Sequence, residues 1–81
     1  MARVLVIDDD RALLRALRVG LSSRGHEVSL AVSGKEGLSK VALDPPEVVV
    51  LDLGLPDLDG LEVCRRIRQW SEVPVIVLSA T

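Results

Sequence analysis

Three short apolar runs in this chain each stop at a group that can do chemistry. Val4-Leu5-Val6-Ile7 meets Asp8, Asp9 and Asp10, and Val48-Val49-Val50-Leu51 meets Asp52. Val75-Ile76-Val77-Leu78 meets a hydroxyl, Ser79. Brought together, the acids make a set of hard oxygen donors with no histidine or cysteine among them, which suits Mg²⁺. Like charges that close raise one another's pKa unless a cation relieves them. A carboxylate beside such a cation can act as a nucleophile and take up a phosphoryl group as an acyl phosphate. A hydroxyl at Ser79 could hydrogen-bond one of the phosphoryl oxygens. The same residues also have a plainer use: Asp9 or Asp10 can cap a following helix, and Asp52 can be a turn residue.

The surrounding sequence says how these groups would be held. The runs at 4–7 and 48–51 are apolar without alternation, as expected of parallel strands buried on both faces. Between them, Leu13, Leu14, Leu17 and Leu21 form one helical stripe and Arg11, Arg15 and Arg18 another, over residues 11–21. Gly25 suits the cap that ends that helix. Val28, Leu30 and Val32 alternate with Ser29 and Ala31, which predicts a second, less buried strand. Ser33 and Glu36 have capping-box spacing and open a helix to about Leu43, with Leu38, Val41 and Ala42 inward. Pro45-Pro46 ends it.

After Asp52, the loop Gly54-Leu-Pro-Asp-Leu-Asp-Gly60 leads to a third helix capped by Asp59 and Glu62. Leu61, Val63, Cys64 and Ile67 face inward there, and Arg65, Arg66 and Arg68 face outward. A last strand runs from Val73 to Leu78, with Pro74 near its start, where a missing N–H is tolerable. Strand-helix three times and then a strand predicts an α/β fold: a parallel sheet with right-handed crossovers and helices on both faces. Ligands in such sheets sit beyond the carboxyl ends of the strands, where strand order reverses. If the first and third strands are neighbours, the acids converge there.

Composition narrows the class. With 81 residues the chain is one small domain at most, able to hide only about 62% of its unfolded surface. Apolar residues make up 48% and aromatics 1%, so Leu, Val, Ile and Ala must build the core. Charged residues at 27% argue against disorder. A net charge of −2 argues against a phosphate-gripping nucleic-acid surface. The single Cys64 excludes an internal disulfide and a Cys-based zinc site. No apolar run approaches the roughly 18 residues of a membrane span, and the start MARVLVIDDD is not a signal peptide. A cytoplasmic location is expected.

VLVIDDD, LDLGLPDLDG and PVIVLSA, in this order and spacing, resemble the receiver domain of two-component response regulators. LDLGLPDLDG with RQWSEVPVIVLSA looks most like the OmpR/PhoB class, and within it the KdpE-like regulators. The resemblance implies a flavodoxin-like (CheY-like) fold and a signalling module, not an enzyme. It makes Asp52 the phosphoacceptor, Asp8 and Asp9 the acidic pair that holds Mg²⁺ with Asp52, and the Gly54 carbonyl a further metal ligand. Ser79 matches the residue that senses the phosphoryl group, Pro56 and Gly60 match the family's loop, and Asp10 is the additional acid of the class, expected to cap the helix. A sensor histidine kinase is the implied phosphoryl donor. Arg11, Arg15 and Arg18 read first as a solvated face; in the family the first helix touches the kinase, which makes docking the rival reading for them. DNA contact is expected only through an output domain absent from this chain, and no membrane partner is expected.

Residues 1–81 stop short of the family pattern, which continues through a fourth helix, a fifth strand carrying a Lys, and a fifth helix. The expectation is a partial receiver domain over 1–81: three βα units and a fourth strand, with no second domain. Lys35 and Lys40, on the second helix, cannot replace that Lys. The fourth strand would then be an apolar edge, a template for pairing with another chain. This gives the rival reading, a non-catalytic fragment that forms a homodimer or strand-exchanged dimer. A third reading, an aspartyl phosphohydrolase, needs a second acid two residues after the nucleophile, and position 54 is Gly. His26 reads as a surface residue, Cys64 as packing, and Trp70 as a cover for a core edge.

Overall fold

The computed structural model describes residues 1–78, so Ser79 lies outside the described residues. Seven elements alternate along the chain: β1 (Arg3–Ile7), α1 (Arg11–Ser23), β2 (Glu27–Ala31), α2 (Gly34–Leu43), β3 (Val48–Asp52), α3 (Gly60–Arg68) and β4 (Val75–Leu78). The strands form one parallel sheet in the order β2-β1-β3-β4. Val6 of β1 pairs with Leu30 on one side and Val50 on the other, and Asp52 at the end of β3 pairs with Leu78. The chain moves outward from β1 to β2 and then returns across β1 to reach β3. That reversal lies between β1 and β3, the place where open α/β sheets form a crevice.

Period-2 alternation along the strands divides the core into two layers. Leu5, Ile7, Val49 and Leu51 face α2 and α3, where they pack with Ala31, Val41, Val63 and Ile67, all fully buried. Val4 and Val6 face the other way and pack with Leu14 of α1, flanked by Leu17, Leu21, Val28, Leu30, Val48 and Val50. The buried members of both layers are thus all aliphatic. The close seat of α2 on β1 depends on Gly37, because a Cβ there would overlap the Ile7 side chain.

The helix ends follow local chemistry. Asp10 caps α1 by accepting from the Ala12 and Leu13 amides, and Ser33 caps α2 by accepting from Glu36. Glu36 answers to the amide of Val32, one residue before the cap residue itself. At the far end of α1, Gly25 has φ +87°, a left-handed turn that a side chain would strain. Its N–H donates to Ser22 while His26 N–H donates to Leu21.

Several inward assignments made from periodicity do not hold. Leu13, Ala42 and Leu61 are exposed, because short helices lying on a narrow sheet bury a thinner stripe than the pattern suggests. Val63 and Ile67 carry the buried seam of α3. Asp59 caps α3 by accepting from Leu61, but Glu62 does not cap; it is held by Arg65 at 2.6 Å and Arg66 at 2.8 Å. Trp70 is 51% exposed rather than a cover over the core. The last strand begins at Val75, not Val73, although the Pro74 carbonyl already accepts from Val49. Cys64 packs against the α2–α3 layer as expected. His26 is half-buried and accepts from the Ala2 amide through Nδ1 at 3.0 Å.

Candidate functional site

β1 and β3 are neighbours, so the residues that follow them are brought to one place. Asp8, Asp9 and Asp52 each offer a carboxylate oxygen, and these oxygens all lie within 4.8 Å of one another. Asp8 is the innermost, 4% exposed, while Asp9 is exposed and Asp52 half-buried. The backbone N–H of Asp8 donates to Ala31, so the residue continues the ladder of the central strand and its side chain stays at the sheet. Its Oδ1 accepts from the Asp10 amide at 2.9 Å.

Burial is the largest influence on Asp8 and raises its pKa. The Asp10 amide opposes this, while the negative charges of Asp52, Asp9 and Asp10 add to the rise. Of the three adjacent acids, Asp10 is therefore the helix cap, and Asp9 joins the cluster. Crowded carboxylates with one buried member are the donor set a hard divalent cation relieves. The residues present fit such an ion.

The β3–α3 loop runs beside Asp52. A Cβ on Gly54 would stand 3.8 Å from Asp52 Oδ2, so the backbone there passes alongside the carboxylate. The loop is closed at Gly60, whose N–H donates to Leu53 at 3.1 Å. A Cβ at Gly60 would come within 2.6 Å of both the Asp52 carbonyl and Leu53 Cα, so only glycine fits that approach. Ser79 immediately follows Leu78, the residue paired with Asp52, but lies outside the described residues.

Residues 4–81 match the response regulator receiver domain. The chain belongs to that family. It is 52% identical over 80 residues to the transcriptional regulatory protein KdpE of Mycobacterium tuberculosis H37Rv, covering 99% of this chain and 35% of that protein. It is 49% identical to the KDP operon transcriptional regulatory protein KdpE of Escherichia coli K12, covering 99% and 36%. The receiver domain of the Francisella response regulator 1452 superposes with a TM-score of 0.94 at 33% identity, covering 99% of this chain and 67% of that one. This receiver chain thus spans about a third of the length of the curated relatives it matches, and the KdpE-like, OmpR-class resemblance read from the motifs is borne out.

Other residues singled out in the sequence have their own contacts. Arg11, Arg15 and Arg18 of α1 line a shallow groove with Leu14, Leu30 and Val32. Lys40 donates to the Leu30 carbonyl and faces Glu36 at 3.9 Å. Among the described residues no helix is long and apolar enough to cross a membrane. One residue that sequence reasoning passed over is Asp57, whose carboxylate accepts from the amides of Gly34 and Lys35 on α2. The partners are 22 and 23 residues away in sequence, so no local pattern signals the contact.

Proposed function

We propose that this chain is a phosphoacceptor module of a two-component system, with Asp52 receiving a phosphoryl group from a sensor histidine kinase. The observation that carries the reading is the convergence of Asp8, Asp9 and Asp52 at the β1–β3 switch point of a receiver fold. A side-chain oxygen of Asp52 attacks the phosphorus of a phosphohistidine. The new P–O bond forms as the P–N bond breaks, the electron pair stays on the imidazole nitrogen, and Asp52 is left as an acyl phosphate. Asp8, Asp9 and Asp52, with the Gly54 carbonyl, would hold Mg²⁺. That ion would supply charge neutralisation at the phosphoryl oxygens. Asp8 and Asp9 hold negative charge at the strand ends without attacking, and Asp10 keeps α1 in register beside them. Ser79 is assigned a hydrogen bond to a phosphoryl oxygen.

This makes the domain a signalling switch whose only chemistry is its own phosphorylation, working in the cytoplasm. The curated relatives are named as transcriptional regulators. DNA binding is accordingly assigned to an output domain outside these residues, and residues 1–81 to the N-terminal part of the receiver. A second reading is favoured by one observation. Among the described residues β4 pairs with β3 alone, and Ile76 and Val77 on it are exposed. In that reading the chain dimerises along β4 and transfers no phosphate.

Native mass spectrometry with Mg²⁺, with and without acetyl phosphate, separates the two beside an Asp52→Asn control. One phosphoryl adduct, absent in the control, is the expected result. A dimer that takes up no phosphoryl group and ignores Mg²⁺ would establish the second reading instead.

A further inference from the structure

The loop between Asp52 and Gly60 is fastened at more points than a surface loop needs. At one end Asp52 is held in the sheet by its pairing with Leu78. At the other, Asp59 caps α3 and Gly60 closes onto Leu53. Between them, Asp57 reaches across to a different helix. Its Oδ1 accepts from the Gly34 amide at 2.8 Å and its Oδ2 from the Lys35 amide at 2.9 Å, while Oδ1 also accepts from Leu58 at 3.0 Å. The first turn of a helix leaves its leading amides without intrahelical partners. Ser33 takes the Glu36 amide at the start of α2, and Asp57 takes the two before it.

The surrounding packing is built for this reach. Gly34 is buried, and a Cβ on it would stand 2.9 Å from Val63 Cγ2 and 3.0 Å from Leu58 Cβ. The bare backbone at Gly34 is thus what lets the loop and α3 approach α2 closely enough for the carboxylate to span the gap. Asp57 is itself exposed, so the contact is not forced by burial. Two charge-assisted hydrogen bonds to one helix end hold it.

We propose that Asp57 is a positioning residue: by fastening the middle of the loop to α2, it fixes where Gly54 and the Asp52 carboxylate stand. The inference rests on the reading of that place as the cation and phosphoryl site. In that role Asp57 touches neither ion nor phosphoryl group. It restricts the loop backbone that carries the Gly54 carbonyl, and groups that orient ligands from behind typically cost about 10–100-fold in metal affinity when removed.

The test compares Mg²⁺ binding by calorimetry, and phosphoryl uptake from acetyl phosphate, in wild type, Asp57→Ala, Asp57→Asn and Ser33→Ala, all of the full 81-residue chain. Ser33→Ala removes a cap from the same end of α2 and controls for a general loss of helix stability. Asp57→Ala is expected to weaken Mg²⁺ by about tenfold or more. Asp57→Asn, which keeps one acceptor oxygen, is expected to fall between, and Ser33→Ala to bind as wild type does despite a lower melting temperature. If Asp57→Ala does not fold, Asp57→Asn against Ser33→Ala decides alone. Wild-type affinity in the Asp57 variants, or an equal loss in Ser33→Ala, would overturn the positioning role while leaving the site intact. Absence of Mg²⁺ binding and of adduct in wild type would overturn the site and this role together.

Discussion

Two strands of this protein are built from the same four residues and meet opposite fates. β1 presents Val4-Leu5-Val6-Ile7 and β4 presents Val75-Ile76-Val77-Leu78. The β1 run is buried throughout, from 6% exposure at Val4 to none at Ile7. In β4, Ile76 is 54% and Val77 42% exposed. β1 has a neighbour on each side and a helix layer over each face, whereas β4 stands at the end of the order β2-β1-β3-β4. Position in the sheet, not side-chain chemistry, decides how much apolar surface is hidden. The functional consequence lies at the carboxyl ends. A central strand carries Asp8 into a buried place where its charge is costly, and that cost gives a cation something to relieve.

The contrast is broken most directly by truncating one isoleucine in each strand. Ile7→Ala empties a site in contact with Gly37 on α2, and it is expected to cost about 2–5 kcal/mol. Ile76→Ala removes a side chain already half in water, and the loss is expected to stay under about 1 kcal/mol. Urea unfolding, compared at equal slope, reads the difference as a shift in midpoint. Equal shifts would mean that β4 is covered in solution, for example by a second copy.

Much of this was legible in the sequence, for a physical reason that also marks where reading failed. Unalternating apolar runs identify strands, and acids directly after two of them identify strand ends, because both signals are local. The roles of Asp10 and Ser33 as caps follow from short-range hydrogen bonds and were readable in the same way. Leu13, Ala42 and Leu61 were misread because inwardness depends on how much sheet lies beneath each helix. Glu62 was misread because two arginines, three and four residues on, compete with the helix end for its carboxylate. The Asp57 contact depends on Gly34 and Leu58 being neighbours, which only the folded chain provides. On residue pattern alone either Asp9 or Asp10 can cap α1, the family resemblance points to Asp10, and in the fold Asp10 is the cap.

A second substitution sharpens the comparison at the end of β1. The carboxyl group of Asp8 has its pKa raised above the ordinary 3.8, first by burial. The folded state therefore holds the proton more tightly than the unfolded state, and stability falls as pH rises from the unfolded value through the folded one. Above that window the whole penalty is present. Asp8→Asn removes the charge and keeps an oxygen for the Asp10 amide. Measured in EDTA at neutral pH, it is expected to raise stability by about 0.5–2 kcal/mol, with the gain shrinking as pH falls to 3.8 and below. Cation binding should be lost in the same variant. A gain independent of pH would assign the effect to packing rather than to charge.

The smallest expected effect on stability comes from the other strand and tests what its exposure means. Ile76→Lys places a charge on an apolar edge strand, a device by which sheets discourage pairing with other chains. The side chain already reaches solvent, so the change in unfolding free energy is expected within about 0.5 kcal/mol. Its effect should appear in association. If chains pair along β4, sedimentation velocity across a concentration series will show a dimer in wild type and a monomer in Ile76→Lys. The phosphoryl adduct on Asp52 should form equally in both, because Ile76 lies two pairs back along β4 from the Leu78–Asp52 pairing. Loss of the adduct together with the dimer would tie the site to the edge, making the burial of β4 a condition for the chemistry at β1 and β3 rather than a separate property of the sheet.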